Sequence, residues 1–140
     1  MAKKAKPKNK SFYTKKLQKL VNEYVRLRDD NRTCISCDLP TVDMSNKAKH
    51  AGHYRSIGSC PEMRFNTCNI HLQCYRCNIF LSGNVVEYRK NLIERYGSEF
   101  VEALEYKQQL KKYSKFDLER MCDIFKRKIS LYKRLFRNEY

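Results

Sequence analysis

Two C-x-x-C pairs are the part of this sequence best suited to bind a metal ion. They consist of Cys34 with Cys37 and of Cys74 with Cys77. A two-residue spacer brings both thiolates of a pair within reach of one ion, and two pairs complete the tetrahedral shell of Zn²⁺. Because four sulfurs leave no open coordination position, we expect this zinc to stabilise the fold rather than to catalyse a reaction. Two unrelated pairs of free thiols are the alternative, and a redox role is disfavoured because no βαβ pattern surrounds either pair.

Histidine and asparagine residues lie around the second pair. His50 and His53 come first, Asn69 and His71 lie just before the pair, and Asn78 directly follows it. Imidazole has a reference pKa suited to a general base near neutral pH, and phosphodiester hydrolysis needs such a base together with a charge-neutralising cation. A single His or Asn in a loop is usually a structural polar group, so it is the arrangement that indicates chemistry.

This arrangement resembles the ββα-metal, or HNH, nuclease pattern. In both, a His lies ahead of a turn, an Asn lies five residues before the second cysteine pair, and a residue able to bind metal follows that pair. The resemblance implies that His53 is the general base that deprotonates water. It also implies that Asn69 braces the loop carrying this base and that Asn78 binds a catalytic Mg²⁺ or Mn²⁺. An Asn in the last place is similar to phage junction resolvases of the endonuclease VII type.

One position departs from the wider pattern. Many HNH enzymes carry an acidic metal ligand directly before the base, where this chain has Gly52. We therefore expect His50 to supply the second ligand, with Asp43 or Glu62 as the alternatives. The roles of His50 and His53 could also be exchanged, and His71 could point toward the cation or toward solvent.

Longer segments resemble the NinG, or Rap, recombination proteins of lambdoid phages. They are residues 50–56 (HAGHYRS), 64–66 (RFN), 69–78 (NIHLQCYRCN) and 82–89 (SGNVVEYR). The resemblance covers about residues 32–105 and implies a DNA endonuclease of phage recombination, acting in the cytoplasm of the bacterial host on branched DNA such as Holliday junctions and D-loops. Because a two-fold symmetric junction needs paired cuts, we also expect a homodimer that uses the terminal helices.

The charge balance points to a polyanionic partner. The 140 residues contain 30 Lys and Arg against 15 Asp and Glu, a net charge of +15. The surplus lies mainly at the two ends of the chain, which favours DNA over a merely solvated helix face. On the last helix the expected DNA-binding residues are Lys126, Arg127, Lys133 and Arg134. Inside the motif segment, Arg55 and Arg64 are expected to clamp the scissile phosphate, since a guanidinium binds two oxygens at once.

The elements that position these residues can be predicted from periodicity. Residues 1–11 are expected to form a disordered basic arm, followed by one domain over 12–140, with its core at 32–97 and a helical extension at 98–140. Apolar residues spaced by three and four predict a first helix over Thr14–Arg28. No apolar run is long enough to span a membrane, and we expect neither a membrane nor a small-molecule substrate as partner.

Three further helices are predicted toward the C-terminus. One runs over residues 85–96 and ends at Gly97, a short one is capped by Ser98, and a long one begins at Ser114, which forms a capping box with Asp117. The predicted fold is thus α+β and mostly helical: a zinc-stapled, HNH-like ββα core with an N-terminal helix and C-terminal helices.

Two other functions fit the same motifs. The first is a non-catalytic zinc-bound module that binds nucleic acid, in which His50, His53 and Asn78 are only structural. The second is a sequence-specific HNH nuclease of the homing or restriction type. Cleavage of branched and linear DNA in the presence and absence of metal distinguishes these functions.

Overall fold

The computed structural model describes residues 5–106 and 108–136. Across these residues the chain mixes helices with one small sheet and is mostly helical. The elements in chain order are α1 (Lys10–Arg28), β1 (Lys49–His53), β2 (Ile70–Cys74), a π-helical turn (Arg76–Phe80), α2 (Val85–Tyr96), α3 (Ser98–Glu105) and α4 (Lys115–Phe136). Short 3-10 turns fill the segments between α1 and β2.

Helix α1 begins earlier than its apolar pattern predicted. The side chain of Asn9 accepts a hydrogen bond from the Phe12 backbone N–H at 2.9 Å and so caps the helix at Lys10 rather than at Thr14. Residues 10 and 11, assigned to the basic arm, are therefore helical. Residues 5–9 form neither helix nor strand, and residues 1–4 of the predicted arm lie outside the described residues.

The antiparallel pairing of β1 with β2 decides which side chains share a face. Lys49 lies opposite Cys74 and His53 opposite Ile70. Because successive side chains alternate across a strand, His50 shares a face with Gly52, whereas His53 points to the other face. The two histidines predicted to act together are therefore on opposite faces of the sheet.

Two apolar clusters cover these two faces. On one side Ala51 and Ile70 pack against α1 and α4, whose buried residues are Leu17, Val21, Val25, Leu118, Cys122 and Phe125. On the other side the Tyr88 hydroxyl of α2 donates to the Gly52 carbonyl at 2.8 Å. Around it lies a second cluster formed by Ile35, Tyr54, Met63, Leu92, Val101 and Leu104. The sheet thus lies between two helix pairs, α1 with α4 and α2 with α3.

The ends of the C-terminal helices follow the predictions with one exception. Helix α2 ends at Gly97, which has a φ of 91°, and Ser114 and Asp117 cap α4 reciprocally at 2.8 and 3.1 Å. Ser98, however, is the first residue of α3 and makes no capping bond, because Gly97 occupies the cap position. Among the described residues, no helix is both long and apolar enough to cross a bilayer.

A buried ion pair fastens the end of α1 to β2. Asp29 accepts a hydrogen bond from the Leu72 backbone N–H at 3.0 Å, and Arg28 donates to the carbonyl oxygens of Thr67 and Ile70 at 2.9 and 2.7 Å. Although burial opposes ionisation, the Arg28 guanidinium lowers the pKa of Asp29. The pair therefore stays charged and fixes α1 relative to the sheet.

Candidate metal centre and active site

The four cysteines of the two C-x-x-C pairs converge on one point. Their sulfur atoms all lie within 4.8 Å of one another, and the Sγ atoms of Cys37 and Cys74 are 3.7 Å apart. Two sulfurs at tetrahedral positions around a zinc ion, each about 2.3 Å from it, are about 3.8 Å apart. The predicted clustering is confirmed, and the set is consistent with a structural Zn²⁺.

Hydrogen-bond donors surround these sulfurs. The Cys74 backbone N–H lies 3.3 Å from Cys34 Sγ, the Cys77 backbone N–H 3.5 Å from Cys74 Sγ, and the Asn84 amide 3.5 Å from Cys77 Sγ. Burial raises the pKa of Cys77 to about 11. Burial also acts to raise the pKa of Cys74, but hydrogen bonds from the Cys77 backbone N–H and from the neighbouring thiols outweigh it and lower that pKa. A bound divalent cation deprotonates such thiols, so the donors then stabilise the thiolates that it holds.

A buried glutamine, which sequence reasoning missed, connects the two cysteine loops. Gln73 Nε2 donates to Ser36 Oγ and to the Gly83 carbonyl, both at 2.7 Å, and its Oε1 is buried without a partner among the described residues. This side chain lies across Gly52, where an added Cβ would sit 1.9 Å from Gln73 Oε1. Gly52 is therefore required by a close approach, and not by its φ.

His50 and Asn78, the two predicted ligands of the catalytic cation, lie together. Asn78 Nδ2 is 3.0 Å from His50 Nδ1, because the π-helical turn that contains Cys77 carries Asn78 toward β1. Rotation of the Asn78 amide places Oδ1 there instead of Nδ2. Nε2 of His50 lies 3.2 Å from the Lys47 carbonyl oxygen. The Tyr75 ring packs edge-on against the His50 ring, with 5.6 Å between the ring centroids.

This pair borders a cavity of about 380 Å³ with cationic walls. It is lined by Asn22, Arg26, Asn46, Lys47, Lys49, His50, Ala51 and Asn78. Three cationic side chains and several amides suit an anion such as a phosphate. The contribution of α1 was missed by sequence reasoning, although Asn22 and Arg26 lie one helical turn apart and outside the apolar stripe.

His53 is held in one tautomer on the opposite face. Its Nε2 lies 2.9 Å from the Arg64 carbonyl oxygen, which can only accept a hydrogen bond, so Nε2 carries the hydrogen and Nδ1 the lone pair. Burial lowers the pKa of His53, although this carbonyl opposes the effect, so the neutral ring is favoured. Among the described residues no hydrogen bond joins His53 to His50 or Asn78.

Asn69 cross-links the loop that connects the two strands. Its buried amide accepts from the Arg55 backbone N–H at 2.8 Å and donates to the carbonyl oxygens of Arg55 and Met63 at 3.0 and 3.4 Å. The segment that follows His53 is thereby tied to the residues just before β2.

Arg55 and Arg64 do not border the cavity of His50 and Asn78. The Arg64 guanidinium donates to Gln18 Oε1 at 2.9 Å, and that of Arg55 donates to Cys60 Sγ at 3.3 Å. His71 is also remote, since it is buried with its Nδ1 3.2 Å from the Tyr88 hydroxyl, and burial lowers its pKa to about 3. His71 therefore points neither toward that cavity nor toward solvent.

Basic residues of α4 line a groove of about 620 Å³ between α4 and α1. They are Lys126, Lys133 and Arg134, whereas Arg127 is exposed elsewhere on the helix. The Lys126 ammonium lowers the pKa of the neighbouring Lys16 on α1. Lys133 is paired with Glu23 at 2.9 Å, and Glu23 also lines a further cavity that contains Arg26 and Lys49. This further cavity shares Glu23 with the groove, and it shares Arg26, Asn46 and Lys49 with the cavity of His50 and Asn78.

Comparisons with known proteins point to one family. The family model described as "NinG: Bacteriophage Lambda NinG protein" matches residues 1–135. Protein ninG of Escherichia phage lambda is 43% identical over 98 residues, which are 70% of this chain and 46% of that relative. Protein ninG of Salmonella phage P22 is 42% identical over 98 residues, which are again 70% of this chain and 46% of that relative. The chain spans about half the length of the curated relatives it matches. No solved structure matches.

Proposed function

The chain belongs to the NinG family, and we propose that it is a metal-dependent endonuclease that hydrolyses phosphodiester bonds in branched DNA such as Holliday junctions and D-loops. The observation that carries the proposal is the contact between His50 and Asn78 at a cavity with cationic walls. In this proposal the protein acts in phage recombination in the host cytoplasm.

We interpret β1, β2 and the π-helical turn as an HNH-like ββα-metal core. The order of the elements supports this, since a strand with two histidines is followed by a paired strand and by a helical turn that carries Asn78. In this interpretation Cys34, Cys37, Cys74 and Cys77 hold a structural Zn²⁺ that keeps the turn against the sheet.

In this proposal a second, catalytic cation is held by His50 and Asn78, and the cationic side chains of the same cavity bind the phosphate. His50 shares a face with Gly52, the position directly before His53, so a ligand at either position projects to the same side of the sheet. Imidazole and an amide oxygen are acceptable ligands for Mn²⁺, and Mg²⁺ takes the amide oxygen together with substrate oxygens. When bound, this cation neutralises the charge that develops on the phosphate and on the leaving 3′ oxygen.

In this proposal His53 keeps the role of general base that the family resemblance implies. Because the cation held by His50 and Asn78 lies on the opposite face of the sheet, the scissile phosphate must reach both around the end of β1 at His53. Its Nδ1 takes the proton of the attacking water, while the Arg64 carbonyl accepts from Nε2–H and stabilises the imidazolium that forms. The water oxygen bonds to phosphorus as the bond to the 3′ oxygen breaks. Asn69 keeps the loop after His53 in place, so the base keeps its orientation.

Phosphate binding is better assigned to the cavity wall than to the arginines proposed from the sequence. Arg26 reaches the cavity from α1, whereas Arg55 and Arg64 are bound to Cys60 and Gln18. We propose that Arg26 and Lys47 bind the scissile phosphate, and that flanking DNA follows the groove toward Lys126 and Arg134. Lys49, which also lines the cavity, is paired with Asp30 at 2.8 Å.

A homodimer stays part of the proposal, on a different surface. The apolar stripe of α4 is already buried against α1, but Ile124, Leu131 and Leu135 form an exposed second row on the same helix. Two copies joined along this row would present two sites to a symmetric junction.

Sedimentation tests this interface. We expect a dimer mass for the wild type and a monomer mass for Leu135→Glu. A wild-type protein that is monomeric at every concentration would exclude the interface.

Cleavage assays test the central claim. The protein is incubated with a four-way junction, a flap and a linear duplex, with Mg²⁺ or Mn²⁺ and with neither. We expect metal-dependent cutting of the branched substrates. If no substrate is cut, the protein is a non-catalytic zinc module. If linear duplex is cut equally well at one defined sequence, it is a homing-type or restriction-type nuclease.

Paired variants of Asn78 test the catalytic cation. Asn78→Ala removes the oxygen ligand and should abolish the Mn²⁺ binding that is detected by paramagnetic resonance beyond the four-cysteine site. Asn78→Asp supplies a carboxylate and should keep this binding, although it loses the N–H that contacts His50. If both variants bind Mn²⁺ as the wild type does, Asn78 is only structural.

A further inference from the structure

Apolar side chains are exposed in the segment directly after the second cysteine pair. They belong to Ile79, Phe80, Leu81, Val85 and Val86, here called the apolar ridge. Phe80 is 77% exposed and Val86 79%. Single exposed apolar residues are ordinary, but five within eight positions are a feature of surfaces that meet a partner.

The backbone holds this ridge rigidly. The π-helical turn is followed by Ser82, Gly83 and Asn84, which all have positive φ, between 43° and 93°. The Gly83 N–H donates to the Cys77 carbonyl at 2.8 Å, and the Asn84 amide lies 3.5 Å from Cys77 Sγ. Such strained backbone persists only where surrounding bonds determine it, and here these bonds lead to the four-cysteine cluster.

The ridge adjoins the candidate active site. Ile79 directly follows Asn78, and the half-exposed Tyr75 ring packs edge-on against His50 at 5.6 Å. Exposed Arg76 precedes the ridge and exposed Lys90 follows it on α2. The ridge is thus joined to the candidate active site through Asn78 and Tyr75.

The chemistry of the ridge identifies its occupant. In linear duplex DNA the base faces are covered by stacking, whereas at a branch point they become available to an apolar wedge. A second copy of this chain is disfavoured at the ridge, because the exposed charged residues beside it are mostly basic: Arg76, Glu87, Arg89 and Lys90. Contact between two such ridges would bring like charges together.

We propose that the apolar ridge, led by Phe80, inserts between base pairs at the branch point and so selects branched over linear DNA. This inference rests on the proposed endonuclease function. It assigns to the ridge the choice of substrate, and to the cavity of His50 and Asn78 the binding of the scissile phosphate.

The test compares Phe80→Ala with Phe116→Ala, a matched change at a Phe that is 70% exposed at the start of α4. Affinities for a four-way junction and a linear duplex are measured by anisotropy at one salt concentration with Ca²⁺. The fluorescence of a 2-aminopurine placed at the branch reports insertion.

Phe80→Ala should weaken junction binding by about 5- to 150-fold, the range for loss of one stacked base. It should also abolish the fluorescence change. Its duplex affinity should stay within about twofold, and Phe116→Ala should match the wild type throughout.

Three results would overturn the inference. The first is that Phe80→Ala binds the junction with the affinity of the wild type. The second is that it loses affinity for junction and duplex equally. The third is that sedimentation shows a wild-type dimer that Phe80→Ala breaks, which makes a second copy of the chain the occupant of the ridge.

Failure of the proposed function looks different: the wild type then cuts no substrate. If the wild type cuts junctions and Phe80→Ala keeps the same preference for them, only the ridge inference fails.

Discussion

At the residue scale, the environment of His53 sets the pH at which the proposed base works. The ring is buried, its Nε2–H is bound to the Arg64 carbonyl, and burial lowers its pKa below the usual value of about 6.5. A general base must be neutral to take a proton. Its neutral fraction rises with pH through the folded pKa, which lies below the usual value.

The pH dependence of cleavage follows from this direction. We expect kcat/KM to rise through an acid limb centred below pH 6.5 and then to level off near neutrality, measured at saturating Mn²⁺ so that metal binding does not limit the rate. An acid limb centred above pH 7 would be incompatible with His53 as the base.

Replacing the base separates chemistry from binding. His53→Ala should lower the cleavage rate by about 10²- to 10⁴-fold, the usual contribution of a general base, and leave junction affinity within about twofold. Rate assays under single-turnover conditions and anisotropy titrations measure the two quantities. A parallel collapse of binding and of the thermal midpoint would instead make His53 a structural residue.

The glycine beneath Gln73 gives a prediction with a built-in control. Gly52→Ala places a Cβ 1.9 Å from Gln73 Oε1 and should displace the amide that joins the two cysteine loops, at a cost of roughly 1–3 kcal/mol. Gly58→Ala meets no atom within 4 Å and should change the free energy of unfolding by less than about 0.5 kcal/mol. Urea unfolding compares the two, and equal midpoints would show that Gln73 can move aside freely.

At the element scale, the four-cysteine cluster joins the loop after α1, the end of β2 and the π-helical turn. A structural Zn²⁺ contributes about 10–16 kcal/mol of apparent binding free energy, as much as the whole stability of an ordinary domain. We therefore expect chelation, or Cys74→Ser, to unfold the segment around β1 and β2, observed as lost zinc stoichiometry and lost protection from proteolysis.

A cysteine outside the cluster provides the control for replacing a thiol by a hydroxyl group. Cys68 is exposed and lies apart from the four sulfurs, so Cys68→Ser should keep one zinc per chain and the same thermal midpoint. If Cys74→Ser retains both as well, the cluster does not hold the fold together.

Patterns that act over one or two helical turns could be read from the sequence. The ends of α2 and α4 follow from Gly97, Ser114 and Asp117, and the convergence of the cysteines follows from their spacing. The start of α1 was misplaced because a single capping bond from Asn9 outweighs the weak apolar signal of that turn. Ser98 was misread because glycine at the preceding position already ends one helix and begins the next.

Contacts between distant segments could not be read in this way. The sequence singled out both histidines of β1 but not that strand alternation would separate His50 from His53. Arg26 escaped notice because only the packing of α1 against β1 brings it to the cavity. Arg55 and Arg64 attracted attention by lying in the motif, yet their neighbours in three dimensions bind them internally.

At the scale of the whole molecule, the groove between α1 and α4 should supply affinity without selecting the bond to be cut. Phosphate contacts release counterions, so each lost contact lowers the salt slope of binding by about 0.9. We expect the double variant Lys126→Gln with Arg134→Gln to lower this slope by about 1.8, measured by anisotropy over a range of NaCl concentrations.

A charge-matched variant separates position from net charge. Lys111→Gln with Lys112→Gln removes the same two charges from exposed residues outside the groove and should leave the slope nearly unchanged. For the wild type and for both double variants, the preference for junction over duplex should persist as the salt concentration rises. Equal slopes for the two double variants would show that DNA does not follow this groove.

The pairing of α1 with α4 also has a consequence for synthesis on the ribosome. Glu23 and Lys133, which meet across this pair, are 110 residues apart, whereas the cysteine pairs meet over about 40. A chain made from its N-terminus therefore completes the metal-bound half first, while Leu17, Val21 and Val25 still await their partner helix. Nascent chains stalled so that residues up to Glu105 have emerged and α4 is still inside the ribosome should resist protease around β1 and β2 only when zinc is present, and α1 should remain cleavable until α4 emerges.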